Sequence, residues 1–331
     1  MPQPSYLVTG ASGLIGRHVV QRLTESGTRV RCLVRPTSTL PPELGGDIAW
    51  FRGDLRDVTA VREAVAGVAA IVHCGALVSD WGARRLFHRT NVEGTRHVVQ
   101  AAVNSGTPRL VHMSSAAVYG YPRRGQPIGE EHPLHARRIP YIASKIAAEE
   151  IVWQAHHRQD LPVVVLRPVM VFGPGCQNYV GEVVDHLRRG TLPLLDGGRH
   201  IAGLAYVENV VDAILLALDH PDAVGRAFNI WDDSNVTWKQ YLDALADRLE
   251  LPRPSHSIPT RLALSAAIPV ESAARLLRFH RRPWITRLAV LELGQDQGYD
   301  ISRARRLLGY TPRVDFEQAL QSTVAWVKES R

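Results

Sequence analysis

The fold is decided by one stretch near the N-terminus, Tyr6-Leu7-Val8-Thr9-Gly10-Ala11-Ser12-Gly13-Leu14-Ile15-Gly16. Its apolar and β-branched start predicts a buried strand, and a helix-like segment follows the glycines. Glycines at these places permit a tight turn, a close approach of the backbone to a pyrophosphate, and close packing of the helix on the strand. The first amides of the helix then face the phosphates. The stretch therefore predicts the opening of a dinucleotide-binding unit, with a purely structural turn as the alternative.

Outward from this turn, short β-branched runs alternate with segments at helical spacing. This alternation predicts an α/β fold with a doubly wound parallel sheet, the Rossmann arrangement. The predicted strands are Ser5–Thr9, Arg29–Val34, Ala69–His73, Arg109–Ser114, Val163–Pro168 and Ala227–Trp231. The predicted helices between them are Leu14–Ser26, Thr59–Ala66, Thr90–Ser105, Tyr141–His157 and Val210–Leu218.

The rest of the chain has a different pattern, which predicts a second domain. Residues 176–202 are glycine-rich and irregular, and residues 236–331 are helical with proline breaks, one of them at Pro269. Residues 1–175 with about 203–235 are expected to form the dinucleotide-binding domain. About 176–202 with 236–331 are expected to form a smaller, mostly helical domain that covers the carboxyl ends of the strands, where such sheets bind ligands.

The composition excludes several classes of protein. Hydrophobic residues make up 45% of the 331 residues and charged residues 21%, which is ordinary for a globular protein. The net charge is +7, but the basic residues are scattered, so no nucleic-acid partner is expected. Cys32, Cys74 and Cys176 are far apart, which argues against a disulfide framework and favours a cytoplasmic location. Neither a membrane-spanning segment nor a metal site is expected from the apolar runs and the histidine spacing.

The end of the second predicted strand bears on the choice of cofactor. NAD sites usually place an acidic residue there, whereas a basic residue accommodates the 2′-phosphate of NADP. Here the strand ends in Val34-Arg35 before Pro36, without an acidic residue. A guanidinium suits a phosphate because it donates two hydrogen bonds at once. We therefore predict NADP, with NAD as the alternative; a solvated surface arginine is the other explanation of Arg35.

Two short motifs supply the candidate catalytic groups. Tyr141 and Lys145 are four residues apart in a helix-like segment, so their side chains share one face. A nearby ammonium lowers the pKa of a phenol and suits it to proton transfer with an alkoxide. The apolar run Leu110–Met113 ends in Ser114 and Ser115, where a hydroxyl can donate a hydrogen bond to a substrate oxygen. An exposed helical pair is the alternative explanation of the tyrosine and the lysine.

Together these motifs resemble those of the extended short-chain dehydrogenases/reductases, over nearly the whole chain. The resemblance implies an NAD(P)-dependent oxidoreductase with a small-molecule substrate, and it leaves a homodimer open. It also implies that Ser115, Tyr141 and Lys145 are catalytic, and Asn91 matches the family's helix asparagine. The cofactor-binding residues expected on these grounds are Gly10, Ser12, Gly13, Leu14, Ile15, Gly16, Arg35, Asp54, Leu55, Gly75, Ala76, Tyr141, Lys145 and Pro168.

Three features narrow the reaction within this resemblance. Ala116 and Ala117 stand where the family's sugar dehydratases have an acidic pair. Ala202 stands where its nucleotide-sugar epimerases have a phosphate-binding arginine. The segments 282–286 and 299–312 resemble the 3β-hydroxysteroid dehydrogenase-like branch. We therefore predict interconversion of a ketone and a secondary alcohol on a bulky, largely apolar substrate, with a nucleotide-sugar epimerase or keto-sugar reductase as the alternative.

The predicted substrate pocket involves residues 255–295. Two apolar stretches, Leu262–Val270 and Ala273–Phe279, adjoin a basic cluster at Arg278–Arg282. On this hypothesis the apolar face lines the pocket, and arginines at its mouth hold a carboxylate or a thioester-linked phosphate. Ordinary helix packing beneath a solvated arginine face is the alternative.

Overall fold

The computed structural model describes residues 5–40, 44–122, 127–277, 279 and 281–330. Its strands are β1 (Ser5–Thr9), β2 (Arg29–Val34), β3 (Ile48–Arg52), β4 (Ala70–His73), β5 (Leu110–Met113), β6 (Val163–Pro168), β7 (Met170–Phe172), β8 (Leu194–Leu195), β9 (Leu204–Tyr206), β10 (Arg226–Ile230) and β11 (Ser257–Ile258). Its helices are α1 (Leu14–Glu25), α2 (Val58–Val65), α3 (Arg84–Phe87), α4 (Gly94–Asn104), α5 (Pro140–Gln159), α6 (Glu182–Arg188), α7 (Val207–Asp219), α8 (Trp238–Arg248), α9 (Thr260–Leu276), α10 (Arg287–Leu293), α11 (Ser302–Leu308) and α12 (Phe316–Glu329).

Seven strands form one sheet in the order β3-β2-β1-β4-β5-β6-β10, and all neighbouring pairs are parallel. The chain builds outward from β1 to β3 and then returns to place β4 on the other side of β1. This reversal opens a crevice at the carboxyl ends of β1 and β4, where doubly wound sheets bind ligands. The predicted α/β fold is confirmed, and the late strand β10 completes the sheet as expected.

Both faces of the sheet are covered by helices. Side chains such as Val8 and Val72 face α1 and α7, whereas Leu7 and Ile71 face α2, α4 and α5. The central strands are therefore buried on both faces, which explains their almost continuous apolar sequences. A third apolar cluster joins α6, α8 and α12 to β7 and β9. The division into two domains at the stated boundaries stays a prediction.

Two local expectations differ from the structure. The strand β3 (Ile48–Arg52) was not predicted, because it lies at the edge of the sheet and its side chains are only partly buried. The helix break expected at Pro269 was wrong, since α9 continues through it. Proline removes one backbone hydrogen bond from a helix. Here the opposite face of α9 buries Ala263, Ala267 and Ala274, and this packing outweighs the local cost.

Candidate active site

The glycine turn is packed tightly against the loop that follows β4. Gly10 has a φ of +70°, and a Cβ atom there would lie 2.8 Å from the backbone of Gly75. A Cβ atom at Gly16 would lie 2.2 Å from the carbonyl oxygen of Gly10. Side chains are therefore excluded at both places. The structure brings the predicted glycines together at the crevice between β1 and β4.

The start of α1 has the character of an anion site. Gly13 is the N-cap residue and supplies no side-chain cap, and the first turn has no acidic residue. The amides of Leu14, Ile15 and Gly16 belong to this first turn, whose N–H groups lack helical partners. Ser12, just before it, has its hydroxyl 3.3 Å from that of Ser38. This uncapped helix start beside a glycine cradle fits the pyrophosphate of a dinucleotide.

Arg35 and Asp54 lie close together beyond the ends of β2 and β3. Asp54 accepts hydrogen bonds from the guanidinium of Arg56 at 2.7 and 2.9 Å. These bonds lower the pKa of the Asp54 carboxyl, and the charge of Arg35 lowers it further. Leu55 lies under the turn, since a Cβ atom on Gly75 would meet its Cδ1 at 2.9 Å. Arg35 is exposed and forms no ion pair with a described residue.

The three predicted catalytic side chains meet where β5 ends and α5 begins. The phenol of Tyr141, in the first turn of α5, is hydrogen-bonded to the hydroxyl of Ser115. One turn later the ammonium of Lys145 donates to the carbonyl oxygen of Met113 at 2.5 Å. Both side chains on α5 are buried. The arrangement holds a proton donor and a hydroxyl side by side, with a cation one helical turn away.

Burial is the largest influence on the pKa values of Tyr141 and Lys145. It raises the pKa of Tyr141 to about 12, against the hydrogen bond from Ser115 and with the help of the nearby Glu292 charge. It lowers the pKa of Lys145 to about 8, against the charges of Cys74 and Glu149. The expected lowering of the tyrosine's pKa by the lysine is wrong for this structure. The ammonium is directed to the carbonyl of Met113, and desolvation of the phenol is the larger effect.

A buried ion pair separates the roles of the two serines. The Ser114 hydroxyl donates to Glu149 at 2.6 Å, and Glu149 is paired with Arg167 on β6. Arg167 also donates to the hydroxyl of Tyr119 at 2.8 Å. The hydroxyl of Ser114 therefore takes part in the hydrogen-bonded network that fixes α5 against β6. Ser115 faces Tyr141, and its catalytic role stays a prediction.

Asn91 connects the loop after β4 to α5. Its amide oxygen accepts from the backbone N–H of Leu77 at 2.6 Å, and its amide nitrogen donates to Leu77 O and to the hydroxyl of Ser144. Gly75 N donates to the hydroxyl of Thr9 at 3.0 Å. These bonds hold the loop containing Ala76 against the end of β1. Pro168 ends β6 on the same edge of the sheet.

Sequence reasoning missed a carboxyl group beside Tyr141. Glu292 on α10 is hydrogen-bonded to the hydroxyl of Tyr121, and burial together with the charge of Asp80 raises its pKa to about 7. No motif surrounds Glu292. The one signal available was an acidic residue inside the otherwise apolar run Leu288–Leu293.

An apolar wall adjoins the trio. Tyr141 packs in one cluster with Phe87, Leu288 and Leu291, and Leu264 of α9 packs against it. The predicted apolar lining by residues 255–295 thus has members beside Tyr141. In the predicted arginine mouth, Arg282 forms a bidentate pair with Asp80 and Arg281 is exposed, whereas Arg278 lies outside the described residues.

The family model described as the NAD dependent epimerase/dehydratase family matches residues 6–230. The chain belongs to this family. A 4-hydroxy-2-methyl-3-oxo-4-farnesyl-3,4-dihydroquinoline-1-oxide ketoreductase from Stigmatella aurantiaca is 32% identical to it, over 95% of this chain and 94% of that protein. A 2-alkyl-3-oxoalkanoate reductase from Stenotrophomonas maltophilia is 32% identical, over 95% and 97%.

Other relatives extend the comparison to sterols and to a solved structure. The mouse sterol-4-alpha-carboxylate 3-dehydrogenase, decarboxylating, is 28% identical over 96% of this chain and 89% of that protein. A short-chain dehydrogenase/reductase superfamily protein from Agrobacterium tumefaciens, solved with bound NAD, superimposes with a TM-score of 0.73 at 25% identity, covering 98% of both chains. The predicted family, with its 3β-hydroxysteroid dehydrogenase-like branch, is confirmed, and the relatives' names agree with the predicted oxidoreductase.

The part of the chain that the structure describes lacks two features. No helix in this part of the chain is both long and apolar enough to cross a membrane. Within the same residues no three histidine, cysteine or acidic side chains are grouped as metal ligands would be. The cytoplasmic location and the homodimer stay predictions.

Proposed function

We propose that the protein is an NAD(P)-dependent oxidoreductase that interconverts a ketone and a secondary alcohol on a bulky, largely apolar substrate. The observation that carries this proposal is the contact between Ser115 and Tyr141, with Lys145 one turn away, beside an apolar wall. The bound nicotinamide would supply or accept the hydride. The protein's own residues have to orient the carbonyl and move one proton.

Tyr141 is the proposed proton donor to the substrate oxygen, and Ser115 the proposed hydrogen-bond donor that holds this oxygen. A phenol whose pKa is about 12 stays protonated at neutral pH, so it is ready to protonate an oxygen on which negative charge develops. The ammonium of Lys145, one helical turn away, holds the carbonyl of Met113 and so fixes the end of β5 beside this phenol. Because Ser114 and Glu149 lock α5 against β6, the donor and the hydroxyl keep their spacing.

The cofactor is proposed to lie across the crevice between β1 and β4. The uncapped turn of Ser12, Leu14 and Ile15 suits its pyrophosphate, and Gly10, Gly13 and Gly16 allow the close approach. Asp54 and Leu55 are proposed to adjoin the adenine, Gly75 and Ala76 to pass beneath the cofactor, and Pro168 to face the nicotinamide end.

NADP is the proposed form of the cofactor. The exposed guanidinium of Arg35 has no carboxylate within ion-pair distance among the described residues, so it is available for a 2′-phosphate. The neighbouring carboxylate of Asp54 is already paired with Arg56, so it is less available to accept hydrogen bonds from the ribose hydroxyls of NAD.

The substrate is proposed to present apolar groups around the reacting carbon. Phe87, Leu288 and Leu291 supply apolar surface around Tyr141, and the carboxyl of Glu292 lies within reach of the same tyrosine. Arg282 is neutralised by Asp80, so this guanidinium is not free to bind a substrate carboxylate. The relatives named as reductases of a farnesylated quinoline and of 2-alkyl-3-oxoalkanoates support a long apolar substituent.

The sugar-nucleotide alternative has less support at the site. Ala116 and Ala117 are buried and offer no acid or base for water elimination, and Ala202 offers no cation for a diphosphate. The test is a turnover assay in which NADPH oxidation is followed with a homologous series of β-keto compounds and, separately, with UDP- and dTDP-sugars. The proposal predicts that kcat/KM rises with chain length until the pocket is full. Each buried methylene should lower the free energy of the bound transition state by about 0.8 kcal/mol. Turnover of the sugars with a flat response to chain length contradicts it.

A further inference from the structure

The helix α9 has two faces of unusual character. On its inner side Leu264 packs against the cluster that contains Tyr141, and Ala263 and Ala267 are buried. On its outer side Leu262, at 62% exposure, and Ile268, at 50%, point to solvent. A surface helix normally presents polar side chains to water and apolar ones to the core. This helix presents apolar side chains on both sides.

The exposed apolar surface grows toward the end of α9. We call Leu276, Leu277, Phe279 and Trp284 the apolar tip; their exposed fractions are 83%, 62%, 59% and 76%. Large exposed apolar side chains that are gathered in one place mark a contact surface, whereas scattered ones need no explanation. Of the large hydrophobic side chains that are exposed in the described residues, most lie on α9 or in this tip.

Two contacts join the tip to the segment that flanks the catalytic site. The guanidinium of Arg275 lies 4.8 Å from the ring centroid of Trp81, and Arg282 is paired with Asp80. Val78, beside them in sequence, is itself 62% exposed. The apolar surface therefore continues from α9 onto a loop that leads directly to Leu77 and the Asn91 anchor.

The charge around this surface is positive. From Thr260 to Arg287 the sequence contains six arginines and a single carboxylate, Glu271. Glu271 is paired with Arg287 at 2.8 Å and Asp80 with Arg282. Among the described residues, the exposed Arg261 and Arg281 have no such ion pair and carry the positive charge of this surface. Arg281 is exposed next to Phe279 and Trp284. Apolar side chains with interspersed arginines and a tryptophan are the composition of helices that lie in a membrane interface.

We infer that the outer face of α9 and the apolar tip dock on a membrane surface that contains anionic lipids. The arginines complement the lipid charge, and the leucines, Phe279 and Trp284 insert among the acyl chains. A second copy of the chain fits less well, because a two-fold contact apposes identical arginines. The inference goes beyond the proposed function, and its test does not depend on the reaction.

The experiment is co-sedimentation of the full chain with unilamellar vesicles of phosphatidylcholine alone or of equal parts phosphatidylcholine and phosphatidylglycerol, at low and at high salt. We expect binding to the mixed vesicles, weaker binding at high salt, and little binding to phosphatidylcholine alone. Leu276→Ser and Trp284→Ser should each weaken binding by about tenfold. Arg281→Gln should weaken it by about fivefold.

The matched control is Val58→Ser, which removes an exposed apolar side chain from α2, far from the tip in sequence. This variant should bind like the wild type, and circular dichroism should show all four variants folded. Equal binding by the Leu276→Ser and Val58→Ser variants overturns the inference. So does wild-type protein that stays in the supernatant with anionic vesicles. A concentration-dependent dimer in analytical ultracentrifugation that Leu276→Ser abolishes, without vesicle binding, assigns the surface to a second copy instead.

Discussion

The two walls of the candidate site are built in different ways. The wall formed by the glycine turn, β5 and α5 is built from short local motifs, such as the pair Tyr141 and Lys145, which are four residues apart. The opposite wall, formed by α9, α10 and the loop at Asp80, joins distant parts of the chain; Asp80 and Arg282 are 202 residues apart. The first wall holds the groups proposed for chemistry, and the second holds those proposed for substrate choice. Substitutions in the first wall should therefore abolish turnover, and substitutions in the second wall should change which substrates are turned over.

The largest effect on the first wall is expected from Glu149→Gln. The variant leaves the guanidinium of Arg167 buried without its counter-charge, which should cost about 3–5 kcal/mol of folding stability. Chemical denaturation measures this loss. Glu150→Gln is the matched control, because Glu150 is the exposed neighbour on α5, and it should be near neutral. Equal stabilities of the two variants would show that the ion pair between Glu149 and Arg167 does not stabilise the fold.

Gly16→Ala tests the packing of the turn. The new methyl group has to displace the carbonyl of Gly10, so the variant should lose about 2–3 kcal/mol of stability and much of its affinity for cofactor. Thermal unfolding and fluorescence titration with NADPH measure the two losses. Gly298→Ala is the control, since a Cβ atom there meets nothing within 4 Å. A Gly16→Ala variant that binds NADPH normally contradicts the proposed cradle.

Arg35→Ala tests the choice of cofactor. Removing a charge-assisted contact should cost about 1.5–3 kcal/mol of NADPH binding and leave NADH binding unchanged. Competition titrations with the two cofactors measure the ratio, and Arg62→Ala, at an exposed position on α2, is the control. Equal affinities for NADPH and NADH in the wild type argue against the assignment of Arg35.

The smallest effect concerns Glu292 on the second wall. Its pKa of about 7 in the folded chain is above the ordinary carboxyl value, so its protonated form favours folding. That contribution is present in acid and is lost as the pH rises toward and through 7. Glu292→Gln should therefore gain stability relative to the wild type between about pH 5 and pH 8, on the order of 1 kcal/mol. Thermal unfolding at both pH values measures the gain, and a constant difference between the proteins contradicts it.

The contrast between the walls also explains what the sequence could predict. The glycines of the turn are close together in sequence, and so are Tyr141 and Lys145. Local spacing was therefore sufficient to predict each of these two motifs. The strand β3 was missed because an edge strand is only half buried and its apolar pattern is weak. The break at Pro269 was predicted wrongly, because tertiary packing of α9 overrides a local preference.

The electrostatics of the site could not be predicted from spacing. A four-residue interval between Tyr141 and Lys145 says nothing of the Met113 carbonyl, which takes the ammonium's hydrogen bond. The proximity of Glu292 to the tyrosine, and the neutralisation of Arg282 by Asp80, arise only when distant segments pack together. Such contacts have no sequence motif, so the arginine mouth was predicted only from the clustering of arginines in the sequence.

The most direct test of the central proposal is the turnover of Tyr141→Phe. NADPH oxidation by the wild type and the variant is followed with the β-keto compound that the wild type reduces fastest, together with NADPH affinity and thermal stability. The proposal predicts a loss of about 10²–10⁴-fold in kcat with cofactor affinity and stability nearly unchanged, because only the proton donor is removed. A variant with near wild-type kcat on this substrate would contradict the assignment of Tyr141 and, with it, the proposed mechanism.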